Sequence, residues 1–284
     1  SDALSIDMKK LCFESDEATL ALTENTQPAL VTVSSACYAA LNSVIELKAT
    51  AVAGHSVGEY SALVASKTLA FTDAVRLVRQ RGQFMQSAVP VGVGGMVAAM
   101  GITPDEADQL CAWVEENSGE TPLEPANYNS PDQIVLSGSL KAIEWLRKEF
   151  SPDKLGWEKK VRLIPLKVSA PFHCSLMKPA EENMSRELQK VTFVDAEIPV
   201  VQNVTAQMHS KANESRDNIT RQISGSVRWI QSMQLILDHH PKSFIECGSG
   251  KVLAGLMKKI DVQNTPIFNI NSLDDIKLLE QSKN

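Results

Sequence analysis

The chain has 284 residues, with 28 Lys plus Arg against 34 Asp plus Glu, a formal net charge of −6. Its 43% hydrophobic and 22% charged residues are globular composition, neither disordered nor fibrous, and the length allows one large domain or two smaller ones with a core that needs no staples. The acidic balance excludes a dedicated nucleic-acid binder, and no apolar run approaches the ~18–20 residues of a membrane span.

The opening Ser1-Asp2-Ala3-Leu4 has no strand-like run and no signal-peptide pattern, so a cytoplasmic protein is expected. Helical spacing with an early Pro predicts a helix over Pro28 to Asn42. Ala49 to Ala53 is a short apolar strand candidate. It stops at Gly54-His55-Ser56-Val57-Gly58, and a helical pattern resumes from Glu59 to Ala65. Strand, tight turn, helix is α/β grammar. Thr72 and Asp73 are candidate caps for a helix running to Met85. After the break at Pro90 and the glycines 92, 94 and 95, strands are expected at Met96–Met100, Gln133–Gly138 and Val161–Val168. Helices are expected at Pro104–Glu116 and Leu140–Phe150. This alternation over residues 92–168 predicts a compact α+β insert. The remainder returns to short apolar runs such as Ile198-Pro199-Val200-Val201 and Ser243-Phe244-Ile245.

The cysteines, Cys12, Cys37, Cys111, Cys174 and Cys247, are odd in number and widely spaced with no C-x-x-C. They predict free buried thiols in a reducing compartment, with no disulfide framework and no metal site.

Gly54-His55-Ser56-Val57-Gly58 is G-x-S-x-G between a strand and a helix. A nucleophilic Ser on such a turn is strained, and both glycines are expected to let it close. The Val57 N–H is then free to stabilise an oxyanion at the helix start. The competing reading is an ordinary glycine-rich turn. A Ser nucleophile needs a base. His55 is its neighbour in sequence and points elsewhere. His209, His239 and His240 lie in polar, solvated surroundings. His173 follows a strand candidate inside an apolar stretch and is the best base; without Ser56 it would read as a core histidine.

In the helix from Thr72 the apolar stripe is Ala74, Leu77, Val78, Arg81, Met85 and Ala88, with Arg76, Arg79, Gln80 and Gln83 on the other side. A buried guanidinium is costly unless paired. Arg81 therefore either forms an internal ion pair, snorkels to the surface, or binds a substrate carboxylate. A Ser nucleophile beside a carboxylate-binding Arg suggests acyl transfer of a dicarboxylic half-acid. Gly248-Ser249-Gly250-Lys251 lacks the upstream Gly and the Ser/Thr after Lys of a phosphate loop and reads as a tight turn.

These residues resemble the malonyl-CoA:acyl-carrier-protein transacylases. The resemblance runs through Thr23 to Ala29, Gly54 to Leu63, Arg81 to Gln86, Asn127 to Pro131, Val168 to Met177, Gln202 to Ala206 and Glu246 to Leu253, in the family's order over nearly the whole chain. It implies Ser56 as nucleophile, His173 as base, and the backbone carbonyl at Gln222 orienting the imidazole. It also implies Arg81 as clamp for the malonyl carboxylate, and Asn129, His55 and Phe172 at the substrate; Phe172 resembles the malonyl-selective form. The implied fold is a hydrolase-like α/β domain with a parallel sheet core over residues 1–91 and 168–284, interrupted by a ferredoxin-like subdomain over 92–167. Ser249 stands where the family usually has Pro. The family opens with a strand and a Gln-bearing oxyanion loop, and Ser1-Asp2-Ala3 resembles a point about one helix later. A chain starting inside the family's pattern is therefore expected, without that core strand and oxyanion residue.

The implied reaction is ping-pong: malonyl passes from coenzyme A to Ser56 and on to the phosphopantetheine thiol of an acyl carrier protein. No metal or redox cofactor, no nucleic acid and no membrane takes part, and the family's usual state is a monomer. Acyl carrier proteins are acidic, so an acidic chain needs a local basic patch. Residues 147–167 supply seven basic residues (Arg147, Lys148, Lys154, Lys159, Lys160, Arg162, Lys167) against three acidic ones. The competing readings are a polyketide synthase acyltransferase domain, an α/β serine hydrolase with a Ser–acid–His order and no buried Arg, and a non-catalytic binding module.

Overall fold

In a computed structural model, which describes residues 1–281, the first elements are helices α1 (Met8–Phe13), α2 (Glu17–Ala21) and α3 (Thr23–Val44). Asp7 and Asp16 cap the first two through bonds from Lys10 N and Thr19 N. The third starts five residues before the expected position, so Pro28 lies inside it. Proline there leaves the carbonyl one turn back without its amide. Side chains reinforce that turn: Thr26 Oγ1 donates to Leu22 O and Gln27 Nε2 to Thr23 Oγ1.

Next come β1 (Val52–Ala53), α4 (Gly58–Ala65) and α5 (Phe71–Ser87). β1 is shorter than the apolar run that predicted it. α5 starts at Phe71 with Ala70 as its uncapped N-terminal neighbour. Thr72 and Asp73 thus fall in the first turn rather than at the cap, where Asp73 still complements the helix dipole. The stripe Ala74, Leu77, Val78, Arg81 and Met85 is buried as its spacing predicted.

Residues 94–165 follow as β2 (Gly94–Met100), α6 (Pro104–Ser118), β3 (Leu123–Ser130), β4 (Gln133–Ser139), α7 (Leu140–Glu149) and β5 (Arg162–Pro165). They form one sheet of order β3-β4-β2-β5, antiparallel throughout. β3 escaped the pattern reading because LEPANYNS carries a Pro and two Asn, residues depleted in strands. Its register shifts around Pro125, where the ladder cannot take a proline amide. Alternation along β2 divides its faces. Val97 and Ala99 pack with Leu110, Val114, Ile143 and Leu146 of the two helices, while Met96 and Ala98 face Phe172 on the opposite side. The helix-side core also includes Ile230, from beyond this stretch.

The chain then adds α8 (Lys178–Leu188), β6 (Val200–Gln202), β7 (Gln207–His209), α9 (Ala212–Arg221), α10 (Trp229–Leu237), β8 (Phe244–Cys247), α11 (Val252–Ile260), β9 (Ile267–Ile270) and α12 (Leu273–Gln281). β6 pairs parallel to β1, with Val52 opposite Val200, and β7 adds antiparallel. β8 and β9 make a second parallel pair. The architecture is mixed α/β, and its parallel ladders are short separate pairs. One core joins α3, α4, α5, α8 and α9 through Val31, Leu63, Leu77, Met184 and Ile219; a second joins β1 and β6 to α10 and α11. Each fully buried aliphatic side chain contributes ~1.5–3 kcal/mol. These cores fix the ends of β1 and β6, where the polar site is built.

The cysteines are free; Cys111 and Cys174 are buried, and Cys12, Cys37 and Cys247 are half-buried. The turn at Gly248 and Gly250 has positive φ at both glycines. The Glu246 carboxylate accepts from Leu253 N and Ala254 N at the start of α11, so the place a phosphate would take is already occupied.

Candidate active site

The strand-to-helix turn holds Ser56 at φ +52, a left-handed conformation that costs a non-glycine residue ~1–3 kcal/mol. Asn203 keeps it there. Its Oδ1 accepts from Ser56 N at 2.8 Å and its Nδ2 donates to Gly54 O at 2.8 Å, so one amide ties both limbs of the turn. A Cβ on Gly54 would stand 2.0 Å from Gly58 O, which requires glycine. A Cβ on Gly58 would meet nothing within 4 Å. The expectation that both glycines are sterically required therefore holds only for Gly54. The next two amides of α4 bond back into the turn, Gly58 N to His55 O and Glu59 N to Ser56 O. Among the described residues the Val57 N–H has no acceptor. A helix-start amide of this kind can receive an oxyanion.

Ser56 Oγ lies 2.7 Å from His173 Nε2, and His173 Nδ1 lies 2.8 Å from Gln222 O. A carbonyl only accepts, so Nδ1 carries the hydrogen and the Nε2 lone pair faces the serine hydroxyl. His173 is 4% exposed with φ +59. Burial pushes its pKa down to about 3, with the Arg81 charge adding to the effect. A neutral imidazole is the form that can take a proton from serine.

Arg81 is 2% exposed. Nη1 donates to Gln27 Oε1 at 2.7 Å, and Nη2 donates to Ser56 Oγ at 3.1 Å and Gln222 Oε1 at 2.9 Å. The Tyr60 ring lies 5.9 Å from the guanidinium carbon. Its hydrogen bonds end on neutral oxygens, so the internal ion pair that the sequence left open does not form among the described residues, and neither does snorkelling. Its charge is aimed at the Ser56 hydroxyl.

His55 Nε2 is 2.7 Å from Asn129 Oδ1, and the ring tilts against Trp229 at 5.4 Å. Burial lowers its pKa, which keeps it neutral. Asn129 is thus brought to the site through His55. Phe172, half-buried, packs at once on the core beneath Ser56 and on the Met96–Ala98 face of the antiparallel sheet. His209 is half-buried rather than solvated as expected, held between Thr205 Oγ1 and Glu214. His239 and His240 are exposed, and none of the three enters the site.

Glu59, Gln27 and Asn203 had no role assigned from the sequence. Glu59 is 0% exposed; its Oε2 accepts from Asn203 N at 2.9 Å and Gln222 Nε2 at 3.0 Å. Burial raises its pKa to about 7. A Glu in the first turn of a helix ordinarily reads as a dipole partner in water. The available signal was its position four residues before Leu63 on the face that α4 buries.

The basic stretch is partly self-paired. Lys154 bonds Glu149, and Lys159 pairs with Glu106 and lies over the Trp157 ring. Arg147, Lys148, Lys160, Arg162 and Lys167 are exposed. Among the described residues no group of three His, Cys, Asp or Glu is placed to hold a metal ion, and no helix is long and apolar enough to cross a membrane.

Residues 3–264 match the model of the acyl transferase domain family. The chain is 42% identical over 277 residues to a malonyl CoA-acyl carrier protein transacylase of Staphylococcus aureus, covering 98% of this chain and 86% of the relative. It is 38% identical over 282 residues to one from Bacillus subtilis, covering 99% and 68%. Among solved structures, the acyl-carrier-protein S-malonyltransferase of Burkholderia pseudomallei superposes with a TM-score of 0.91 at 40% identity, covering 99% of this chain and 89% of that one. A malonyl-transacylase in complex with a type II polyketide synthase acyl-carrier protein superposes with a TM-score of 0.91 at 34% identity, covering 99% and 88%.

Proposed function

The chain belongs to the acyl transferase domain family, and from that premise we propose that it transfers malonyl from malonyl-CoA to the phosphopantetheine thiol of an acyl carrier protein, supplying fatty acid synthesis. The observation that carries the reading is one oxygen with two neighbours: Ser56 Oγ, 2.7 Å from His173 Nε2 and 3.1 Å from Arg81 Nη2. A base and a carboxylate-binding cation converge on one nucleophile, as a dicarboxylic half-acid requires.

In the first half-reaction Ser56 Oγ attacks the thioester carbon while His173 Nε2 takes its proton. The Val57 N–H faces the developing oxyanion, and the Gln222 carbonyl holds the imidazolium through Nδ1–H. As the tetrahedral centre collapses, the coenzyme A sulfur leaves with the proton from His173. In the second half, His173 deprotonates the carrier thiol, which attacks the malonyl ester and returns Ser56. Arg81 holds the free carboxylate through both halves, Phe172 walls the acyl site, and His55 with Asn129 lines it. Every step is acyl exchange and proton transfer, chemistry these side chains supply without a metal or redox group.

The finer architecture belongs to the same reading: a hydrolase-like α/β unit over residues 1–91 and 168–284 and a ferredoxin-like insert over 92–167. The βαββαβ order and the β3-β4-β2-β5 sheet support the insert. The exposed Arg162 on its edge strand β5 and Lys160 just before that strand are the docking charges for an acidic carrier, and the protein acts as a cytoplasmic monomer.

The test is transfer itself. With malonyl-CoA and a phosphopantetheinylated carrier protein, malonyl-carrier accumulates and double-reciprocal plots are parallel. Release of malonate and coenzyme A without malonyl-carrier would make the protein a hydrolase.

A further inference from the structure

The dyad, the guanidinium and the nucleophile turn all trace back to one buried carboxylate. Glu59 Oε2 accepts from Asn203 N, and Asn203 Oδ1 holds Ser56 N. The same Oε2 accepts from Gln222 Nε2. Gln222 in turn receives Arg81 Nη2 on Oε1 and His173 Nδ1–H on its backbone oxygen. Two amides therefore carry the position of Glu59 to Ser56, His173 and Arg81. Its other oxygen, Oε1, is buried with no hydrogen-bond partner, and so is Arg81 Nε. Arg81 has no carboxylate bonded to it, and Glu59 reaches it through one amide, Gln222.

We propose that Glu59 is the positioning residue of this network and the internal counter-charge of Arg81, and that it takes up a proton when a substrate carboxylate docks on the guanidinium. The inference rests on the malonyl-transfer reading. Its physical basis is charge balance in a dry site. Without substrate, one buried cation and one buried anion compensate each other. A docked carboxylate makes two anions for one cation, and two buried anions on one cation cannot both stay ionised cheaply. The solvent-derived proton goes to Oε1, the oxygen that accepts nothing, so neither bond from Oε2 is broken.

The charged and titratable groups bearing on Glu59 are Arg81 from α5, Tyr60 from its own helix, and, across Arg81, His173 with His55 behind it. Tyr60 is pushed far above its ordinary range and does not titrate near neutrality, while His173 and His55 are held low. Glu59, already raised to about 7 with Arg81 opposing the rise, is the group poised to change charge when Arg81 is neutralised. Neutralisation moves it further up. Above pH 7 the free protein holds it mostly ionised and the complex shifts it toward the protonated form, so malonyl binding takes up part of a proton and weakens as pH rises, by at most tenfold per pH unit.

The experiment is calorimetric titration of malonyl-CoA into the non-acylating Ser56→Ala protein at pH 7.5, in buffers of different ionisation enthalpy. A fraction of a proton is taken up per malonyl-CoA bound, and none with acetyl-CoA, which lacks the carboxylate. Glu59→Gln in the same background abolishes the uptake and flattens the pH dependence of affinity. If malonyl-CoA does not bind at all, the malonyl-transfer reading falls and this one with it. Binding without proton uptake, or uptake that persists in folded Glu59→Gln, overturns the Glu59 assignment alone. Should Glu59→Gln not fold, infrared difference spectra of the Ser56→Ala protein decide. A new protonated-carboxyl band with malonyl-CoA and not with acetyl-CoA supports the assignment, and its absence overturns it.

Discussion

Arg81→Ala separates recognition of the malonyl carboxylate from acyl chemistry. The side chain is 2% exposed and its two Nη atoms point at Gln27, Gln222 and Ser56. A malonyl carboxylate docked there meets a desolvated guanidinium, and removing one partner of such a pair costs ~2–5 kcal/mol. This is a loss of roughly 30- to 5,000-fold in kcat/KM for malonyl-CoA. Acetyl-CoA makes no such contact and escapes the penalty, so the malonyl-to-acetyl preference collapses by nearly the whole factor. Stability falls too. Gln27 Oε1 and Gln222 Oε1 each lose a buried donor, at ~1–3 kcal/mol, and buried Glu59 loses the cation that opposes its raised pKa, which drives it further toward the protonated form. The assay is acylation of Ser56 followed by stopped flow with both thioesters, beside a thermal melt. Equal losses with malonyl-CoA and acetyl-CoA in a folded variant would refute the clamp.

Four further outcomes are expected. Gly54→Ala destabilises by several kcal/mol or fails to fold because its Cβ meets Gly58 O, whereas Gly58→Ala is neutral or stabilising by up to ~1 kcal/mol; thermal melts of the two decide. His173→Ala lowers Ser56 acylation by ~10²–10⁴-fold, and in the wild type the acid limb of kcat/KM lies well below the ordinary histidine range, since the free imidazole is held to about 3; a limb at 6.5 contradicts the buried neutral base. The unfolded chain binds the His173 proton first, so stability falls as pH drops from 6.5 toward 3; for Glu59, raised from 4.5 to about 7, the native state binds first and stability falls as pH rises through that window. Urea midpoints of Glu59→Gln lose only the second slope. Lys160→Glu with Arg162→Glu raises KM for the carrier protein several-fold and spares the coenzyme A half-reaction; an unchanged KM removes the edge strand from docking.

What the sequence disclosed about the site was what local pattern carries. G-x-S-x-G between a strand and a helix marks Ser56 because the turn itself is a local object. Arg81 is legible because a charged residue interrupts an apolar helical stripe. His173 needed a second observation, the presence of Ser56, since alone it reads as a core histidine. Asn203 left no local trace, and Glu59 only its spacing to Leu63 on the buried face of α4. Their partners lie across the fold, and a Glu in the first turn of a helix looks the same whether it faces water or a buried amide. The fold shows the same limit. Helices came through with ends off by a few residues, Pro28 and Thr72 being read as starts. β3 was lost because Pro125 and its asparagines are tolerated only by the pairing with β4 and the bridge from Asn127 to Val227. Gly58 was over-read, because a motif does not say which of its glycines the backbone presses against.

Malonyl transfer by this site requires that Ser56 carry the malonyl group. Mixing the protein with malonyl-CoA without carrier protein and weighing it intact tests this directly. One added malonyl group, about 86 Da, is expected on Ser56, absent in Ser56→Ala and discharged by a phosphopantetheinylated carrier protein. A folded protein that gains no mass, or gains it elsewhere than Ser56, would contradict it.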